Sequence, residues 1–235
     1  MRISKSLLSS ISKMKVLVFD TETTGLPQGK NPSITQTHRW PHVVQLSYVM
    51  FDTHQNEITD CQDVLIKQRD GVKIDPKAQE VHGISLEKCA TNGIYISDAL
   101  DMFDTALKEA DLVVGHNISF DKRMMMVEAI RQHRSQYFTR NGVRKQEFCT
   151  MKNGVNLCRI LAINQQTRET YFKYPKLFEL HEKLFNYKPA GLHDSLADVL
   201  ICLRCFLQMN YNQDVIFENR QFAVLWREKC IPMTG

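Results

Sequence analysis

Apolar residues fall into two rhythms along this chain. Near the start they come as short runs. Lys15-Val16-Leu17-Val18-Phe19 leads straight into Asp20-Thr21-Glu22 and then a turn at Thr24-Gly25-Leu26. A short apolar run bounded by a turn predicts a buried strand, most readily in a parallel sheet. Val43 to Phe51 and Asp63 to Lys67 predict a second and a third strand, and the polar Asp52–Glu57 linker is short enough for a hairpin. These three strands are expected to pair antiparallel. Between the first two, Pro27 to His42 is rich in Pro, Gly, Asn, Ser and Thr, which predicts an irregular exposed loop anchored by Trp40.

Further on the rhythm becomes helical. Asp75 to Gly83 predicts a short helix, with Pro76 at its start and Gly83 just past its end. Ser97 is expected to cap the next, whose apolar stripe is Leu100, Phe103, Ala106 and Leu107. A fourth strand is predicted over Asp111 to Gly115, a helix over Ser119 to His133 and a fifth strand over Glu147 to Thr150. Helices follow over Met151 to Ile163 and Lys176 to Phe185, separated by a polar loop, Asn164 to Tyr174. The last strong helix spans Ser195 to Met209. Strands paired by short turns that then alternate with helices indicate an α/β fold, a mixed five-stranded sheet flanked by helices. Residues 14–209 read as one domain. Residues 210–235 read as a weakly patterned tail with one helix around Phe217 to Trp226.

Composition narrows the class. At 235 residues and 43% hydrophobic, the chain can bury an ample core. No apolar run is long enough to cross a membrane. The net charge of +4 suits a polyanionic partner without demanding one. Seven cysteines, an odd number, argue against a disulfide framework and for a reducing intracellular compartment. Met1 to Met14 carries Arg2, Lys5, Lys13, five serines and no acid. That composition fits a disordered extension over residues 1–13, an over-extended start with Met14 as initiator, or an organellar transit peptide.

Candidate chemistry sits at strand ends. Asp20 and Glu22 are two apart, so on a strand their carboxylates point the same way. Two such acids at the end of a buried strand repel each other and resist desolvation. A divalent metal answers that, since Mg²⁺ and Mn²⁺ prefer carboxylate oxygen; a solvated turn with incidental acids is the plainer reading. Asp121 follows the fourth strand in the first turn of a helix, where an acid also offsets the helix dipole. Gly115-His116-Asn117 precedes it, and ligands of open α/β sheets bind where strands end in this way. In His193-Asp194-Ser195-Leu196-Ala197-Asp198, Ser195 and Asp198 fit a capping-box variant. His193 would then lie before the helix and reach over the same spot as Asp198. Cys202 and Cys205 lack a convincing second pair in Cys149 and Cys158, so they read as core of the last helix, not as zinc ligands.

Asp20-x-Glu22, Asp121 after Gly115-His116-Asn117, and His193-x4-Asp198 occur in the order of the three exonuclease motifs. The chain thereby resembles the DEDDh class of 3′→5′ exonucleases, the DnaQ-like group that includes proofreading subunits of bacterial DNA polymerases. Val81-His82-Gly83-Ile84-Ser85 looks like that group's segment between the first and second motifs. The resemblance covers roughly residues 14–209 and implies a ribonuclease H-like fold. It implies two Mg²⁺ ions, replaceable by Mn²⁺, held by Asp20, Glu22, Asp121 and Asp198, with His193 as general base. It implies substrate contacts from the backbone N–H groups of Thr23 and Thr24, from Leu26 and His82, and from Asn117 and Phe120. Arg123, Arg131, Arg134, Arg140, Arg144 and Lys145 form a basic run that is either a solvated face or a phosphate track.

The function expected is metal-dependent 3′→5′ hydrolysis of nucleic acid to nucleoside 5′-monophosphates. Single-stranded DNA is favoured as substrate, with a DNA polymerase as an implied partner. An RNA-trimming exoribonuclease of the same class competes, since the five catalytic residues do not distinguish sugars. A non-catalytic nucleic-acid-binding polymerase accessory competes from another class, though it has no need of all five. The Pro27–His42 and Asn141–Tyr174 segments look longer than in compact members of the group and leave substrate preference open.

Overall fold

The computed structural model describes residues 13–231. The N-terminal extension read at residues 1–13 lies outside them except for Lys13.

Three strands open the fold: β1 (Lys15–Thr23), β2 (Val43–Asp52) and β3 (Glu57–Leu65). Helices α1 (Pro76–His82), α2 (Leu86–Asn92) and α3 (Ile96–Glu109) follow, then strand β4 (Leu112–Gly115) and helix α4 (Ser119–Arg131). A two-residue ribbon, β5 (Thr139–Arg140) and β6 (Val143–Arg144), leads to β7 (Gln146–Cys149) and α5 (Thr150–Cys158). A second ribbon, β8 (Leu161–Ile163) and β9 (Thr170–Phe172), precedes α6 (Leu177–Phe185), α7 (Ser195–Tyr211), α8 (Val215–Glu218) and α9 (Arg220–Cys230). The main sheet has five strands in the order β3-β2-β1-β4-β7, and β1 lies at its centre. β1 pairs antiparallel with β2 and parallel with β4, and β4 pairs parallel with β7. This is the mixed sheet the sequence predicts.

Alternation along β1 divides the interior. Leu17 and Phe19 face α3 and α4, joining Phe103, Leu107, Met124 and Val127. Val16 and Val18 face α7, joining Val199, Leu203, Phe206, Phe222 and Trp226. Successive side chains of a strand point to opposite faces, so an unbroken apolar run is what a strand covered on both sides requires.

The third strand runs Glu57–Leu65, not Asp63–Lys67. The strand begins at Glu57, the end of the predicted linker, and its largely polar first half shows no apolar run; an edge strand is held by backbone pairing, and Asp52↔Glu57 through Gln45↔Leu65 supplies it. Ser97 does not cap α3: the helix starts at Ile96 with Tyr95 at the N-cap and no side-chain cap. The helix expected over Met151–Ile163 stops at Cys158, where Arg159 turns left-handed (φ 50°). The remainder pairs with part of the predicted Asn164–Tyr174 loop, Leu161↔Phe172 through Ile163↔Thr170. Helix α2 was not foreseen; Ser85 caps it, its Oγ accepting from Lys88 N at 3.1 Å. The predicted start and stop of α1 are present: Pro76 opens the helix and Gly83 adopts φ 68°, and Asp75 caps it, accepting from Lys77 N. In the 210–235 stretch, Val215, Phe222, Trp226 and Cys230 are buried in the α7-side core.

Candidate active site

The end of β1 places its acids by strand geometry alone. Asp20 and Glu22 are in register with Ser47 and Gln45 of β2 and project toward the α7 side of the sheet. Thr21, between them, projects toward α4. The two acids from helices therefore arrive from opposite faces. Asp198, in the first turn of α7, joins Asp20 and Glu22, and one carboxylate oxygen from each lies within 4.8 Å of the others. Asp121, in the first turn of α4, stands outside that triplet. Its Oδ1 accepts from Thr21 N at 3.2 Å and from Thr21 Oγ1 at 2.8 Å.

Asp194, not Ser195, is the N-cap of α7: its side chain accepts from Ala197 N at 3.0 Å. Ser195 is released from the expected capping box. Its hydroxyl instead donates to Asp20 O at 3.0 Å and ties the start of α7 to β1. His193 does lie before the helix, exposed, with left-handed backbone (φ 71°). Its N–H donates to Asp198 Oδ2 at 3.3 Å.

The electrostatics are those of an acid cluster with too little positive charge. Among the described residues no Lys or Arg pairs with Asp20, Glu22, Asp121 or Asp198. Burial pushes Asp20 up to about 6. Burial, then the charges of Asp20, Asp198 and Asp121, push Glu22 up to about 9. Asp121 and Asp198 are raised well above the usual carboxylate range by burial and then by the charge of Asp20. Asp198 Oδ1 is buried and has no hydrogen-bond partner. An orphaned carboxylate oxygen beside two half-buried carboxylates is a donor set of hard oxygens, which fits a divalent cation of the Mg²⁺ or Mn²⁺ kind.

A cavity of about 400 Å³ lies alongside, lined by Leu26, Pro27, Trp40, Asn117, Phe120 and Arg123 among others. Leu26 is 83% exposed, so it is not core. Phe120 is half-buried and packs partly on the α4-side core. Asn117 is exposed and takes the left-handed backbone (φ 66°) that Asn tolerates. A larger hollow of about 510 Å³ opens by His42, Lys67 and Tyr95 and contains none of the predicted site residues.

Other expected contacts are already in use. The Thr24 N–H donates to His42 O at 2.8 Å and is not free for a nucleotide. The Thr23 hydroxyl, not the backbone N–H expected to meet substrate, donates to Gly25 O at 2.7 Å. His82 Nδ1 accepts from Ile84 N, which leaves Nε2–H to donate to Thr23 O at 3.2 Å. His82 thus steadies the end of β1. The basic run is mostly structural. Arg131 is nearly buried and donates to Thr37 O, Trp40 O and Pro41 O at 2.7 to 2.8 Å, latching the Pro27–His42 loop while pairing with buried Glu128. Arg134 binds Ser97 O and Asp101, and Lys145 binds Ala110 O. Arg123, by contrast, lines the cavity without an ion pair among the described residues. Trp40 is the loop anchor predicted, its Nε1 donating to Ser33 O at 3.1 Å. Cys202 and Cys205 are buried free thiols.

A five-stranded mixed sheet with acids converging at the end of its central strand defines a nuclease of ribonuclease H-like fold. The sequence matches the RNase_T exonuclease family over residues 17–206. The chain belongs to that exonuclease family. Comparison with curated proteins by sequence found no significant match. Among solved structures, E. coli exonuclease I with a dA16 oligonucleotide superposes with TM-score 0.62 at 14% identity, covering 90% of this chain and 45% of that one. The zinc-bound form of the E. coli exonuclease I–single-stranded DNA complex gives 0.62 at 16% identity, covering 87% and 42%. A product-bound exonuclease I gives 0.62 at 14%, covering 87% and 46%. The chain thus spans less than half the length of these neighbours, and at this identity they share its fold.

Proposed function

We propose that the protein removes nucleotides from the 3′ end of single-stranded DNA, releasing nucleoside 5′-monophosphates. The observation that carries this reading is the convergence of Asp20, Glu22 and Asp198 within 4.8 Å, with no Lys or Arg among the described residues paired to them. Asp20, Glu22 and Asp198 would hold a divalent cation, Mg²⁺ or Mn²⁺, and Asp121 would support a second. When bound, the ions supply Lewis-acid stabilisation of the attacking and leaving oxygens and a more acidic water.

The chain's own residues do the rest. His193, in front of α7 and exposed, takes the proton of the attacking water as a general base. Thr21 fixes Asp121 through two hydrogen bonds. Ser195 fixes the approach of α7 to β1. The cavity beside them takes the terminal nucleotides, with Leu26 and Phe120 against bases, Asn117 as a polar contact and Arg123 on a phosphate. Exonuclease I complexes with oligonucleotides support single-stranded DNA as the substrate to test first. A polymerase partner rests on the family resemblance alone.

The test is mononucleotide release from 5′-labelled single-stranded DNA, duplex DNA and RNA, with Mg²⁺, Mn²⁺ or EDTA. Stepwise shortening of single-stranded DNA that EDTA abolishes is expected. A marked preference for RNA would move the reading to an exoribonuclease, and metal-independent or absent hydrolysis would sink it.

A further inference from the structure

We propose that the C-terminal helix α9 belongs to the catalytic apparatus, with Lys229 a positioning residue that holds the His193 loop in place over the acids. This rests on the reading of His193 as the base. The loop joining α6 to α7 is fastened at both ends by the last turn of α9. On one side, Ala190 N donates to Cys230 O at 3.2 Å, which uses a carbonyl that a helix end otherwise leaves orphaned. Gly191 beside it has φ +74°, and a Cβ there would lie 2.0 Å from Lys229 O. Only glycine lets the loop come this close to α9.

On the other side, Lys229 Nζ lies 3.2 Å from Asp194 Oδ2 and 3.0 Å from Asp63 Oδ2. Asp194 caps α7, and Asp63 accepts from Gln45 Nε2 at 2.7 Å and Ser47 Oγ at 2.8 Å. Ser47 is the register partner of Asp20. A continuous polar chain thus runs from the sheet through Lys229 to the cap of α7. His193 sits inside that frame, between Gly191 under α9 and Asp194 under Lys229, with its N–H on Asp198. Cys230, buried, adds a thiol contact to Ala197 O. Without the Lys229 bridge the loop loses its ion pair and keeps the Asp194 cap, the His193 N–H bond to Asp198 and the packing of Leu192, a looser hold on an exposed, left-handed His193.

The experiment compares wild type with Lys229→Met, which keeps the stem and removes the ammonium, and Lys229→Arg, which restores a cation. Lys229→Met is expected to lower kcat by roughly 10- to 100-fold, the usual effect of losing a supporting partner or of a small misplacement. KM for a single-stranded oligonucleotide stays within about twofold, and Lys229→Arg recovers most of the rate. Hydrogen exchange of the amides at 192–194 rises in Lys229→Met while β1 and the middle of α7 keep their protection. Unchanged kcat, unchanged exchange at 192–194, or a loss of protection spread over the whole protein would each overturn the proposal. An inactive wild type would sink the proposed function, and the exchange comparison would still decide whether Lys229 holds the loop.

Discussion

Thr21 Oγ1 donates to Asp121 Oδ1 at 2.8 Å, and the Thr21 N–H donates to the same oxygen at 3.2 Å, across a sequence separation of 100 residues. The pair exists because Thr21 sits between two acids on a strand and so faces the other way. Replacing Thr21 with Val keeps the shape and removes the hydroxyl donor. We expect turnover to fall about 10- to 100-fold with little change in KM, as for other residues that orient a catalytic carboxylate. A steady-state comparison on one oligonucleotide checks this, and an unchanged kcat would show that the Thr21 hydroxyl plays no part in orientation.

Asp20→Asn should abolish hydrolysis without weakening the metal-free fold. The backbone carbonyl of Asp20 that receives the Ser195 hydroxyl is untouched, and one charge leaves a crowded acidic site. Melting in EDTA should therefore give a Tm equal to or above wild type. Residual turnover near the wild-type level would refute the assignment of this cluster.

The same crowding sets a pH dependence. Asp20 and Glu22 titrate near 6 and near 9 in the fold, above their unfolded values near 4. The folded state then holds more protons than the unfolded one between those limits. Without metal, stability is fully present below about pH 4, falls as pH rises through 6 toward 9, and levels off beyond. A saturating divalent cation removes that loss. Thermal melts from pH 5 to 9 in EDTA and in Mg²⁺ should diverge as pH rises; parallel curves would contradict the cluster's role as an ion site.

His116 titrates the other way. Its partly buried ring lies between Thr150 Oγ1 and Pro175 O, and desolvation pushes it down to about 4. The unfolded ring titrates near 6.5, so its contribution is complete above that pH and is lost as pH falls toward 4. The loss is on the order of 3 kcal/mol at about 1.4 kcal/mol per pKa unit. Urea unfolding of wild type and His116→Asn between pH 4.5 and 7 tests it: the variant should lose part of the acid slope.

Two arginines on α4 should behave oppositely. Arg123→Ala is expected to raise KM for oligonucleotides several-fold and reduce the salt dependence of binding, with Tm unchanged, since this cation faces the cavity. Arg131→Ala removes the partner of buried Glu128 and the latch on Thr37, Trp40 and Pro41. Stranding a buried charge costs about 3–5 kcal/mol, so a pronounced drop in Tm should result. Equal effects of the two variants on KM and Tm would show that the division between phosphate contact and loop latch is wrong.

What the sequence determined by itself was local. The run Val16 to Phe19 could only be a strand covered on both faces, and the Asp20-x-Glu22 spacing put two acids on one side of its end. Asp75, Pro76 and Gly83 announced α1, and His193 stood before α7 because the helical pattern began after it. Each of these depends on forces acting within a few residues: alternation, capping, and the backbone freedom of glycine. Tertiary structure decided the rest. That Asp198 joins Asp20 and Glu22 while Asp121 is held by Thr21 follows from which face of the sheet each helix covers. That Arg131 latches a loop about 90 residues earlier follows from packing of α4 on β2. That Lys229 reaches Asp194 depends on α9 folding back beneath α7, where buried Phe222 and Trp226 hold it. No periodicity records such meetings, because the groups that meet are neighbours only once the hydrophobic faces on either side of β1 have been covered.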